Sequence, residues 1–187
     1  MKEETKKLLG EERREWLISL LKESSSPITG STLAKKTKVS RQVIVGDITL
    51  LKARNEPIIA TSQGYMYMPI HRANEVIEKT IACFHQRDQA EAELNIIVDH
   101  GVTVKDVKVE HPVYGDLTAS IMVSNRQEVQ SFLSRIKKTN ASLLADLTSG
   151  IHLHTLAAPN VEAILKAEEA LKVAGILIEE NEENEHT

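Results

Sequence analysis

The stretch LAKKTKVSRQVIVGDITLLK, from Leu33 to Lys52, decides how the first third of the chain is read. Its beginning completes a short helix over 31–37, with Leu33 and Ala34 facing inward. Ser40 has the side chain of an N-cap, and a longer helix follows to about Arg54. Val43, Ile44, Ile48 and Leu51 form the expected inward face of that helix. Upstream, Trp16, Leu17, Leu20 and Leu21 recur at helical spacing over 11–23, and Ser24-Ser25-Ser26-Pro27 ends the run. Downstream of Pro57 lie two short apolar segments, Ile58–Thr61 and Tyr65–Met68, joined by Ser62-Gln63-Gly64, which suits a tight hairpin turn. Helix, helix, helix and hairpin within about 60 residues is the layout of a winged helix-turn-helix, the hairpin being its wing.

A helix that reads DNA must offer polar groups to base edges while its other face packs inward. Arg41, Gln42, Val45, Thr49 and Lys52 lie opposite the apolar stripe. Arg41 suits guanine, Gln42 suits adenine, and Val45 suits a thymine methyl. Ser40 and Thr49 are better placed for phosphates. The net charge of −4 hides an uneven distribution. Residues 1–70 hold 12 Lys+Arg against 8 Asp+Glu, and residues 71–187 hold 11 against 19. Between 34 and 54, six basic residues face only Asp47. A duplex attracts such a patch and repels an acidic second half. Two features run the other way. Gly46 sits mid-helix, where glycine costs roughly 1 kcal/mol against alanine, and the wing residues 58–68 contain no Lys or Arg.

From His71 the pattern changes. Strands are expected over Val76–Phe84, Val102–Val109, Leu117–Val123 and Ile151–Ala157, with extended structure also at Leu143–Leu147. Helices are expected over Asp88–Asp99, Gln127–Lys138 and from Pro159-Asn160 to about Val173, with a further edge strand at Gly175–Ile178. Strand–helix–strand–strand–helix–strand is the split βαβ layout. The expected class is therefore α+β: a winged helix-turn-helix over 1–70, a small split-βαβ domain over 71–180 and a disordered acidic tail over 181–187.

Seven histidines, at 71, 85, 100, 111, 152, 154 and 186, all fall in the second part. His152-Leu153-His154 is the informative pair, because residues i and i+2 of a strand face the same side. Glu93 lies on the helix that follows His85. Were His85 in that helix too, the two would be separated by about 12 Å along its axis; with His85 on the strand or turn they can converge. Cys83 shares a strand face with His85 and is read first as a small buried thiol, and second as a spare ligand.

Residues 11–68 resemble the winged helix-turn-helix of the biotin-repressor type, most clearly in Ser40-Arg41-Gln42 followed by Asp47-Ile48 and Leu51. Residues 73–180 resemble the 3H domain in CFHQRDQAEAELNIIVDHG (83–101), VKVEHPVYGDLTASIMVSNRQEV (107–129) and LLADLTSGIHLHTLAAP (143–159). That pairing is similar to the NiaR family of nicotinate-responsive repressors of NAD biosynthesis and niacin-uptake genes. The resemblance implies metal ligands at His85, Glu93, His152 and His154 for a divalent transition ion, with nickel, zinc, cobalt and iron left open. It also implies operator DNA as partner, nicotinic acid as corepressor and a homodimer. Arg87, two residues after His85, is a candidate partner for the effector's carboxylate.

Other classes are weaker. No Gly-rich phosphate loop, Gly-x-Ser-x-Gly or His-Glu-x-x-His motif supports a metalloenzyme with a winged-helix appendage. Aromatic content of 3% leaves few stacking platforms for RNA. A repressor that senses the metal itself, without an organic effector, remains the nearer alternative. The single cysteine, the absence of an apolar run of roughly 20 residues and the charged first residues lead to the expectation of a cytoplasmic protein.

Overall fold

The computed structural model describes residues 9–68 and 76–179, and the chain divides into two units, residues 1–71 and 72–187. The expected boundary near Pro69–Asn74 and the acidic tail over 181–187 lie outside the described residues, as do His71 and His186.

The N-terminal unit contains α1 (Gly10–Glu23), α2 (Gly30–Thr37), α3 (Arg41–Ala53), β1 (Ile58–Thr61) and β2 (Gly64–Tyr67). Capping sets the helix boundaries. The Thr29 hydroxyl accepts the Thr32 N–H at 3.1 Å, and the Ser40 hydroxyl accepts the Val43 N–H at 3.3 Å. Between α2 and α3 the backbone turns through Lys38, which is left-handed with φ 54°. Leu17, Leu21, Leu33, Ile44, Ile48 and Leu51 are fully buried and form the core. β1 and β2 pair antiparallel. A one-residue bridge joins β2 to the segment before α2, where the Ile28 and Tyr65 backbones exchange hydrogen bonds of 2.8 and 2.9 Å. Gly64 (φ 143°) makes that approach possible: a Cβ there would lie 2.5 Å from the Ile28 carbonyl oxygen.

The inward face of α3 differs from the expectation at one position. Val43 is 39% exposed, and Asp47, only 4% exposed, completes the buried set with Ile44, Ile48 and Leu51. Positions 44, 47, 48 and 51 follow the i, i+3, i+4, i+7 rule more closely than 43 does. Asp47 can face inward because charge meets it there. Arg13 donates through Nε at 2.6 Å and Nη2 at 3.3 Å, and Arg14 donates through Nη1 at 3.2 Å. The one acid of the basic stretch is thus turned away from the outer face. Ser40, Arg41, Gln42, Thr49 and Lys52 are exposed and Val45 is half-buried.

The C-terminal unit contains β3 (Ile77–Phe84), α4 (Ala90–Asp99), β4 (Thr103–His111), β5 (Gly115–Val123), α5 (Arg126–Thr139), β6 (Ile151–Ala158) and α6 (Val161–Val173). The sheet order is β3-β6-β4-β5, with every neighbouring pair antiparallel. β6 therefore lies between β3 and β4, and β4 lies between β6 and β5, so each strand pair joined through a helix is split by a third strand. Asn125 and Asn160 cap α5 and α6, accepting from the N–H groups of Glu128 and Ala163 at 3.0 and 2.9 Å. Leu94, Ile97, Val104, Val123, Leu156 and Ile164 are among the buried residues between helices and sheet.

Two expected extended segments are something else. Residues 144–148 form a short 3-10 helix, not a strand, because the Asp146 carboxylate accepts the Leu143 N–H at 2.9 Å and closes a local turn. At Gly175–Ile178 the expected edge strand is reduced to one bridge, between Leu177 and Cys83 of β3. No helix among the described residues is long and apolar enough to cross a membrane.

The Arg13–Asp47 pair yields a stability prediction. Replacing Asp47 by alanine removes the carboxylate that answers the buried Arg13 charge, a change worth about 3–5 kcal/mol. Trp16, the only tryptophan, packs on this core. Its fluorescence in urea is expected to show a lowered midpoint in the Asp47→Ala chain, while far-UV signal from the other unit persists to the original midpoint.

Candidate metal centre

Along β6 the side chains alternate: Ile151 and Leu153 are exposed, while His152 and His154 are each 3% exposed. Strand pairing then defines their surroundings. His152 stands opposite Cys83 and His154 opposite Ile81 on β3, and His154 stands opposite Val107 on β4. His85 is the first residue after β3, and the chain continues through a 3-10 turn, Arg87–Gln89, into α4. Glu93 lies in the first turn of α4 and is 2% exposed. A strand end, a helix start and a second strand therefore deliver four groups to one point.

Glu93 is the hub. Its Oε2 lies 2.8 Å from His85 Nε2 and 3.3 Å from His154 Nε2, and its Oε1 lies 3.1 Å from His152 Nε2. The rings of His85 and His152 meet edge to face at 4.9 Å between centroids, and those of His152 and His154 at 4.8 Å. The far nitrogen of each ring meets a backbone carbonyl: Nδ1 of His85 lies 2.7 Å from Gln86 O, Nδ1 of His152 lies 2.9 Å from Gly150 O, and Nδ1 of His154 lies 2.7 Å from Asp106 O. A carbonyl oxygen only accepts, so each Nδ1 carries a proton and donates it. With Nδ1 engaged there, Nε2 is the nitrogen each ring turns to the centre: carrying a proton it donates to Glu93, and on giving that proton up it offers a lone pair to an ion, the arrangement that orients histidine ligands in metal sites.

Gly150 holds two of these pieces together. With φ 104°, it places a notional Cβ 2.3 Å from the His85 carbonyl oxygen, so a side chain would force β6 away from the end of β3. Burial disfavours the charged forms of His85, His154 and Glu93, but their mutual attraction outweighs it. Both imidazoles are held above the ordinary histidine value of 6.5, and Glu93 is held well below 4.5 by the charge of His154 and hydrogen bonds from all three rings. Burial first, and then the Glu93 charge, push the Cys83 thiol upward. Ligand atoms of Cys83, Glu93 and His152 lie within 4.8 Å of one another, so the thiol borders the same point. Three buried imidazoles with Nε2 turned inward, together with one buried carboxylate, fit a divalent transition ion in donor type, the ion taking the place of the Nε2 protons.

The cluster opens on a cavity of about 200 Å³, walled by apolar groups that include Leu94, Val107, Ile121, Phe132, Ile136 and Leu144. Arg87 does not line it. Its guanidinium donates to Asp146 at 3.1 Å and to the Ala141 carbonyl at 2.8 Å, clasping the 141–146 segment that supplies part of the wall. His100 bonds the Ile96 carbonyl and His111 stacks on Tyr114, both apart from the cluster. The carbonyls of Gln86, Asp106 and Gly150 were not anticipated from sequence, because a backbone carbonyl has no residue type to betray it.

The comparisons with known proteins agree with this two-part reading. An HTH domain family matches residues 13–66 and the 3H domain family matches residues 78–180. A protein of Bacillus subtilis (strain 168) named "Transcription repressor NadR" is 58% identical over 175 residues, 93% of this chain and 97% of that protein. A Thermotoga maritima protein named "Probable transcription repressor NiaR" is 36% identical over 174 residues, 93% of this chain and 98% of that protein. Near full-length similarity to two proteins named as repressors, with an HTH domain in place, makes the chain a regulator and not an enzyme. It belongs to the NadR/NiaR family of transcription repressors, an HTH domain followed by a 3H domain.

Proposed function

We propose that the chain represses NAD biosynthesis and niacin-uptake genes, with nicotinic acid as corepressor acting at a metal centre in the 3H domain. The observation that carries this reading is the convergence of three Nε2 atoms and one carboxylate at an apolar cavity of about 200 Å³. Nicotinate combines a flat apolar ring with two metal-binding functions, a carboxylate and a pyridine nitrogen. Its ring suits walls such as Phe132, Val107 and Ile121.

In this reading His85, Glu93, His152 and His154 hold the ion, which when bound supplies an electrophilic site for the effector's carboxylate or nitrogen. The Nδ1 hydrogen bonds keep the rings aimed without adjustment on binding. Arg87 contacts the effector only if it leaves Asp146; paired as it is, it steadies the wall instead.

At the other unit, Arg41, Gln42, Val45, Thr49 and Lys52 face the major groove. The Ser40 hydroxyl accepts from Val43 and still has its proton for a phosphate. Thr49 has its proton engaged on the Val45 carbonyl at 2.8 Å, so it brings a methyl and lone pairs to the groove, not a donor for phosphate. A homodimer presents two such helices to a palindromic operator. For nicotinate to act as corepressor it must bind the operator-competent state more tightly than the other state, since equal affinity shifts nothing.

The first test is operator binding by metal-loaded protein, on promoter DNA upstream of NAD-biosynthesis genes, titrated with nicotinate. Affinity is expected to rise with nicotinate in the native chain and to stay flat in the His152→Ala/His154→Ala chain. Binding that follows metal and ignores nicotinate would replace this reading with a metal sensor. A second prediction concerns the DNA face. Gln42→Ala is expected to lose about 1–3 kcal/mol at one base pair and to relax the preference there. Lys52→Ala should instead weaken all sequences alike and lower the salt slope by about 1. A third concerns the ion. Glu93→Gln keeps the shape but removes the anionic ligand, so metal affinity measured by competition with a chromophoric chelator should fall at least about tenfold, the scale seen even for outer partners of ligands.

A further inference from the structure

α3 contains a glycine that its own fold does not require. Gly46 is absent from the positions with positive φ, so its backbone is ordinary helix. A Cβ added there meets no atom of the described residues within 4 Å, its own helix backbone aside. Alanine would fit, and it is the better helix former. The advantage of glycine must therefore lie in something that approaches the helix from outside.

Its surroundings say what. Residues three and four apart are neighbours on a helix surface, so Gly46 is bordered by Gln42, Val43, Thr49 and Leu50. Val43 is 39% exposed and Leu50 is 49% exposed, both on the helix whose flanks carry Arg41 and Lys52. An exposed apolar rim, Val43 and Leu50, on one side of a missing side chain, with Gln42 and Thr49 on the other, makes a small notch with one apolar wall within a basic surface. Asp47, the one acid of this stretch, is turned inward onto Arg13 and Arg14, so the notch meets a polyanion without repulsion. In the major groove the apolar group a base pair presents is the C5-methyl of thymine.

We propose that the notch at Gly46 seats a thymine methyl, bringing the α3 backbone closer to that base pair than a Cβ allows and specifying thymine at one position of each half-site. The proposal rests on the DNA-binding reading above and adds to it the residue that selects one base.

The test uses the full-length, metal-loaded chain, with and without nicotinate, and a duplex enriched by it from a random-sequence pool. Each thymine of that duplex is replaced singly by uracil, which removes the methyl and leaves the pairing edge unchanged. One position is expected at which uracil weakens the native chain about fourfold, the worth of one buried methyl. Gly46→Ala is expected to bind the thymine duplex about tenfold more weakly, as overpacking does, to lose its sensitivity to uracil at that same position, and to melt at a higher temperature than the native chain. Unchanged affinity in Gly46→Ala overturns the proposal. So does a loss that is equal on thymine and uracil duplexes, or a change in association state without a change in base preference. If the native chain enriches no duplex, the DNA-binding reading fails, an outcome distinct from failure of the notch alone.

Discussion

A carboxylate cannot remain buried without something to answer its charge. Glu93 is 2% exposed, and what answers it comes from two neighbouring strands: His85 just after β3, and His152 and His154 on β6. The requirement reaches outward from there. β6 must pair with β3 in the register that sets His152 beside Cys83. The 3-10 turn after His85 must bring the first turn of α4 over the sheet. Residue 150 must lack a side chain, or the two strand ends separate. A slip of one residue in β6 would turn both histidines outward and leave Glu93 unanswered.

The N-terminal unit solves the same problem with different chemistry. Asp47 is buried like Glu93, but guanidinium groups answer it. Arginine keeps its charge under all ordinary conditions and has no lone pair to share, so the Arg13–Asp47 pair is a permanent tie between α1 and α3. Imidazole can carry a proton or surrender it to become a ligand. The contrast explains why one buried carboxylate belongs to architecture and the other to a centre suited to exchange.

Neighbouring contacts give that centre a shaped approach. The cavity beside it is apolar, so a ligand entering it loses water on most of its surface and finds polar partners only at the histidine end. The wall formed by residues 142–145 is tied back by Arg87 through Asp146 and Ala141. Asp146 also accepts the Leu143 N–H, so one carboxylate both shapes the turn and anchors the guanidinium.

Much of this was legible in the sequence where local rules suffice. Apolar spacing, the cap at Ser40 and the start at Pro159-Asn160 located the helices, and the period of two along a strand put His152 and His154 on one face. Family resemblance, not spacing, joined His85 and Glu93 to them, because eight residues between two groups say nothing of a turn between strand and helix. Val43 was misread because neighbouring apolar residues on a helix cannot all face inward, and a buried aspartate looks like a surface residue until its arginine is found 34 positions away. Residues 143–147 looked extended because a side-chain hydrogen bond, not hydrophobic pattern, sets their turn. The sequence alone determined most of the helices and strands and which residues are able to hold a metal or meet DNA. Only the tertiary structure decided which histidines converge, which nitrogen each presents and which face of α3 is free, because those depend on strand register, backbone carbonyls and charge pairs between distant segments.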